Sequence, residues 1–204
     1  MRFKNYLLIL ISIILALSTW QCAGPSRKVS RISTDRVTDL SGRWNDTDSR
    51  LTAEAMIQDL LSRPWLDEYR NSTDKKPLVV LGRIKNKSSE HINTDVFMKD
   101  VERELINSGK VRFVASFRER DQIREERLDQ QNFASPETMK KWANETGADY
   151  ILLGSINSVV DAYEGQKAVY YQVNMELIHL ETNEKVWIGE KEIKKLIDQK
   201  KYKW

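Results

Sequence analysis

The sequence reads as one α+β domain. Strands alternate with helices in its first half, the hydrophobic period falls to two in its last third, and 40% of its 204 residues are apolar, enough for a single core. Ser49–Leu61 carries Leu51, Ala55, Ile57, Leu60 and Leu61 at helical spacing, and Pro64 stops it before a short turn at Trp65-Leu66. Leu78–Ile84 is apolar on both faces except at Arg83, as an interior strand is. Thr94 then offers an N-cap, Phe97, Val101 and Leu105 recur every four residues, and Gly109 supplies the stop. Lys110–Ser116 resumes as a strand. Between Phe117 and Asp129 nine of thirteen residues are charged, which predicts a mostly exposed helix. Ser135-Pro136 opens a further helix with Met139, Trp142, Ala143 and Thr146 on one face, ended by Gly147.

The final third is built differently. Asp149–Val160 is a long apolar strand and Glu164-Gly165 a turn. Val169, Tyr171, Val173, Met175 and Leu177 then alternate with Tyr170, Gln172, Asn174 and Glu176, as a half-buried strand must. Thr182-Asn183 turns into Val186–Ile193. Three strands joined by short turns make an antiparallel meander, so the expected architecture is one mixed, largely antiparallel sheet of four to five strands flanked by helices.

The N-terminus has a separate logic. Arg2 and Lys4 precede the apolar run Tyr6–Leu17, which is too short for a bilayer core of about 30 Å but suits an export signal. Cys22, the only cysteine, follows five residues later, where a lipoprotein signal places the thiol that receives its lipid. Attachment would then be through acyl chains, and Ala23-Gly24 after the cysteine points to the outer membrane. The expected organisation is a signal peptide over 1–21, a lipidated cysteine and flexible basic tether over 22–43, a globular domain over 44–195 and a basic tail over 196–204. Residues 23–43 carry a net charge of +3 and residues 191–204 carry +4. The tether is poor in large apolar residues, and fully extended it reaches about 70 Å.

The chemistry is sparse. With formal net charge +3 on the whole chain, no pervasive bias toward nucleic acid exists. One cysteine and two histidines cannot furnish a His/Cys metal cluster. Asp46 and Asp48 begin as a calcium loop would, but Arg50 stands where the next oxygen is needed. Phosphate-cradle, dinucleotide and nucleophile-elbow motifs are missing, so neither catalytic residues nor a cofactor are expected. Tyr170 falls on the polar phase of its strand and is a candidate interaction anchor. Arg83, Asn86 and Tyr163, in loop or exposed positions, complete the candidate partner-binding set.

An ordered series of blocks carries a resemblance: Leu40-Ser41-Gly42-Arg43-Trp44-Asn45-Asp46, Arg83-Ile84-Lys85-Asn86, Ile92-Asn93-Thr94, Ser108-Gly109-Lys110-Val111-Arg112-Phe113-Val114, Gly147-Ala148-Asp149-Tyr150 with Gly154-Ser155-Ile156, and Val186-Trp187. In this order, behind a lipidation cysteine, they resemble the LpoB-type lipoproteins that activate penicillin-binding proteins. The resemblance implies a fold like the N-terminal domain of the TolB translocation protein. It also implies a monomeric, non-enzymatic outer-membrane lipoprotein whose partner is a bifunctional class A penicillin-binding protein. An envelope assembly or secretion lipoprotein on the same scaffold is the alternative.

Overall fold

The computed structural model describes residues 28–34, 36–133 and 147–198, so the expected signal peptide, Cys22, the helix after Ser135 and the last six residues lie outside the described chain. The chain divides into Met1–Arg36 and Val37–Trp204, and the folded body is the second unit. No helix among the described residues is long and apolar enough to cross a membrane.

Four helices and five strands make up the described body. In chain order they are α1 (Asp46–Leu61), α2 (Trp65–Thr73), β1 (Leu78–Asn86), α3 (Thr94–Asn107), β2 (Arg112–Val114), α4 (Phe117–Phe133), β3 (Tyr150–Tyr163), β4 (Gln166–His179) and β5 (Lys185–Asp198). The strand order is β2-β1-β3-β4-β5, parallel from β2 to β3 and antiparallel from β3 to β5. This is the expected α+β sheet, with β1 interior as its apolar faces require.

Local chemistry sets each boundary. α1 begins three residues ahead of its expected start because Asn45 caps it. The Asn45 side chain accepts from the Asp48 amide, and the Asp48 carboxylate accepts from the Asn45 amide at 2.9 Å. The short turn expected at Trp65-Leu66 is the start of a nine-residue helix, and Trp65 reaches back to give its indole N–H to Leu60 O at 2.8 Å. Asn93, one residue before the expected cap, caps α3 by accepting from the Asp95 amide. The strand expected over Lys110–Ser116 shrinks to Arg112–Val114 at the sheet edge, since Lys110 and Ser116 both serve helix ends. The expected turn Glu164-Gly165 has both residues at positive φ, the geometry that matches the twist of a two-residue hairpin.

One face of the sheet is packed. Ala53, Met56, Ile57 and Leu60 of α1 and Phe97, Val101 and Leu105 of α3 meet Val79, Leu81, Leu152, Ile156 and the inward phase of β4. That phase, Val169, Tyr171, Val173, Met175 and Leu177, is fully buried, and each such side chain contributes about 1.5–3 kcal/mol. The Asp149 carboxylate joins α2 to the sheet by accepting from the Tyr69 hydroxyl and the Leu78 amide, both at 2.7 Å. At the same end Tyr150 makes edge contacts with Trp65, Tyr69 and His179, while His179 Nδ1 accepts from the Thr182 amide and closes the β4–β5 turn. On the opposite face Val80, Ile151, Leu153 and Ile178 are only half-buried.

α4 is fastened at its start by charge rather than by apolar packing. Glu119 accepts from the Ser116 amide and hydroxyl and pairs with Lys99 of α3 at 2.8 Å. Lys99 first, then the Ser116 donors, pull the Glu119 carboxyl down to about 2. Its folded pKa therefore lies below its ordinary value of 4.5, so the contribution is complete above that value and is lost as pH falls through about 2. The Ser116 and Glu119 amide resonances should move between these limits, signalling a loosened first turn of α4. Glu119→Gln should abolish that titration. Because Glu119 is partly exposed, the change in global stability should be small.

Candidate partner-binding surface

The meander is longer than the rest of the sheet. β1 ends where Asn86 pairs with Ile156, but β3 continues to Tyr163, so residues 157–163 run on for about 23 Å with only β4 paired to them among the described strands. An overhang of this kind has two faces to satisfy.

Two loops cover its inner face around Tyr171. Trp44, just before α1, places its ring edge-on to Tyr171 at 5.6 Å and to Phe97 at 6.1 Å. Its amide donates to Glu90 Oε2 at 3.2 Å, in the loop after β1. That loop is shaped by Asn86, whose amide nitrogen donates to Glu90 O at 2.8 Å while its oxygen accepts from Ser88. Ser89 then ties the loop to Ser158 of β3. The buried Tyr171 hydroxyl lacks a well-formed hydrogen bond, and burial, followed by the Glu90 carboxylate, pushes its pKa up.

The segment from Val37 to Asn45 forms a strap held on β5 by one lysine. Lys195 donates to Asp39 Oδ1 at 2.5 Å, to Asp48 Oδ2 at 2.6 Å and to Arg43 O at 3.1 Å, using all three ammonium hydrogens. Its side chain is 9% exposed and that of Asp48 8%. Burial works to lower the Lys195 pKa, yet the two carboxylates hold it above the ordinary lysine value. Burial also raises Asp48, against Lys195 and the Asn45 amide, which both favour the carboxylate. Asn45 links the pair by donating to Asp39 at 2.7 Å. Between them Gly42 turns at φ +66°, and a Cβ there would overlap Ile197. The flexible tether expected up to residue 43 and the basic tail expected from 196 are thus partly packed chain.

The outer face of the overhang is bare. Its cross-strand rows are Val159–Tyr170–Lys194, Asp161–Ala168–Leu196 and Tyr163–Gln166–Asp198. Val159, Tyr163 and Leu196 are 64%, 76% and 68% exposed, an apolar patch on a polar rim. Tyr170 gives its hydroxyl to Glu192 at 2.5 Å, which lifts the phenol to about 12, and Gln172 donates to Glu190 at 2.8 Å. These bonds fix the side chains in place, which lowers the entropy a partner must overcome.

Of the residues singled out by sequence, Tyr163 and Tyr170 share this face. Arg83 is exposed at the β1–β3 register shift, and Asn86 lies seven positions along β3 from Tyr163, so the four do not form one cluster. Sequence reading missed Val159 and Leu196. Neither carried a clear signal, because Lys194 and Lys195 interrupt the alternation before Leu196. At the opposite sheet edge, Leu78, Phe113 and Ile123 with Arg112 and Arg127 line a cavity of about 220 Å³ between β2 and α4.

Among the described residues the sheet is packed by helices on one face, and the strap is held to the edge strand by Lys195. The family model described as peptidoglycan-synthase activator LpoB matches residues 48–193. The chain therefore belongs to that family, whose members are described as activators of a synthase. Solved structures similar to it include the LpoB C-terminal domain from Escherichia coli (15% identity, 69% of this chain and 97% of that one, TM-score 0.39). The corresponding domain from Salmonella enterica is another (17% identity, 64% and 93%, TM-score 0.35). Lipoprotein GNA1162 from Neisseria meningitidis is a third (11% identity, 58% and 83%, TM-score 0.37). No curated protein matches the sequence.

Removing Lys195 leaves Asp48 buried without its cation. Lys195→Ala should therefore cost about 3–5 kcal/mol in urea denaturation, and adding Asp48→Asn should recover much of the loss.

Proposed function

We propose that this chain is an outer-membrane-anchored periplasmic lipoprotein that binds and activates a class A penicillin-binding protein, and so regulates peptidoglycan synthesis. The family match over residues 48–193 is the observation that carries this reading. Cys22 is the proposed lipid attachment point. Acyl chains there give durable anchoring when more than one is present. Residues 23–36 are the proposed link between Cys22 and the body. That stretch spans at most about 50 Å.

The chain acts on the synthase by binding energy alone. It stimulates catalysis only if it binds the active conformation of the synthase more tightly than the inactive one, and the rate gain cannot exceed that difference. The outer face of the overhang is the proposed contact, with Tyr163 and Tyr170 as aromatic anchors. Arg83 supplies an outlying contact beyond the polar rim, and Asn86 shapes the loop beside it.

Full-length chain in detergent, added to the organism's class A synthase, should raise glycan polymerisation and cross-linking with dose. Tyr163→Ala should weaken binding about tenfold, corresponding to roughly 1.4 kcal/mol, without loss of folding. Saturating folded protein that neither binds the synthase nor changes either activity would contradict the proposal. Co-purification with a secretion or assembly machine would then favour the alternative.

A further inference from the structure

β5 is fourteen residues long and lies at the sheet edge, paired on one side by β4, with no strand among the described residues on the other. A long open edge exposes a row of backbone donors and acceptors ready to pair with another strand. The residues on its outer phase decide which strand fits. They are Ile188, Glu190, Glu192, Lys194 and Leu196, and this run is nearly its own complement when reversed. Ile188 and Leu196, at its two ends, are 62% and 68% exposed.

We infer that β5 pairs antiparallel with β5 of a second copy of this chain, with the two-fold axis at Glu192. In that register Ile188 faces Leu196 of the other copy and Glu190 faces Lys194, each pairing occurring twice. Opposite charges and apolar pairs directly across a strand pair stabilise it, whereas like charges destabilise it. Neighbouring registers fail this test. An axis at Lys191 sets Glu190 against Glu192 and Lys191 against itself. An axis at Ile193 sets Lys191 against Lys195 and Ile188 against Asp198. The cost of the chosen register is Glu192 facing its own copy, and each Glu192 accepts the Tyr170 hydroxyl of its own chain, which spreads that charge. Such a dimer is isologous, closes on itself and covers the β5 edge of each copy. It replaces the single copy expected from sequence, and it leaves the outer face continuous across both copies.

Single-cysteine variants of the full chain in membranes test the pairing independently of any synthase. Residues directly opposite in an antiparallel pair have Cα atoms about 4.5–5.5 Å apart, within disulfide reach. Under mild oxidation Glu192→Cys should form a dimer band above the background of the parent with Cys22 alone. Co-expressed Glu190→Cys and Lys194→Cys should form a mixed dimer. Ile188→Cys, Lys194→Cys or Leu196→Cys alone should not, since Lys194 lies about 14 Å from its own counterpart. All five positions are exposed, so the substitutions leave the core intact. Introducing Lys194→Glu should reduce the Glu192→Cys band, and adding Glu190→Lys should restore it. Equal bands at every position, no band at 192, or indifference to the charge exchange would each overturn the inference.

Discussion

A single ammonium group, Lys195, decides where the folded body begins and ends. It lies nearly buried between Asp39 and Asp48, with the Arg43 carbonyl as its third acceptor, and so joins the strap, the cap of the first helix and the last strand. A buried charge is tolerable only when fully partnered, and here every donor has its acceptor. The carboxylate that caps α1 is also the one that holds the lysine, so helix initiation and edge-strand attachment are one network. Removing the lysine leaves the buried Asp48 carboxylate without its cation, whereas Asp39 keeps its contact with water.

The rest of the overhang follows from that network. With the strap fixed, Trp44 is delivered onto Tyr171 and Phe97, and the loop after β1 is held by Glu90 beneath the same ring. The inner face around Tyr171 is thereby covered, while Val160 and Ala162 farther along β3 stay exposed. The outer face of the overhang carries exposed aromatic and aliphatic side chains, Tyr163, Val159 and Leu196.

Most elements were legible because burial follows period. The alternation in β4 and the four-residue recurrence in α3 mark core faces that the structure buries fully. What escaped was chemistry between distant residues. The start of α1 depends on an Asn-to-Asp capping box, a less familiar pair than Ser or Thr with Glu, so the expected start fell later. The end of β5 was hidden by its lysines, which read as solvated tail. One of them is buried only because Asp39 and Asp48, far away in sequence, converge on it. Of the candidate residues only Tyr170 could be assigned a strand phase from sequence; the longer β3 puts Tyr163 on the same face, whereas Arg83 and Asn86 belong to another part of the sheet. Asn86 in particular spends its side chain on its own loop.

Amide hydrogen exchange resolved to single residues tests the central claim most directly. If the strap is an integral part of the body, the Trp44, Asn45 and Asp48 amides should exchange about as slowly as those of β4, and Lys195→Ala should release them while β4 stays protected. Fast exchange of the strap in the unaltered chain, with β4 protected, would mean that the latch is not formed in solution and that the body begins only at α1.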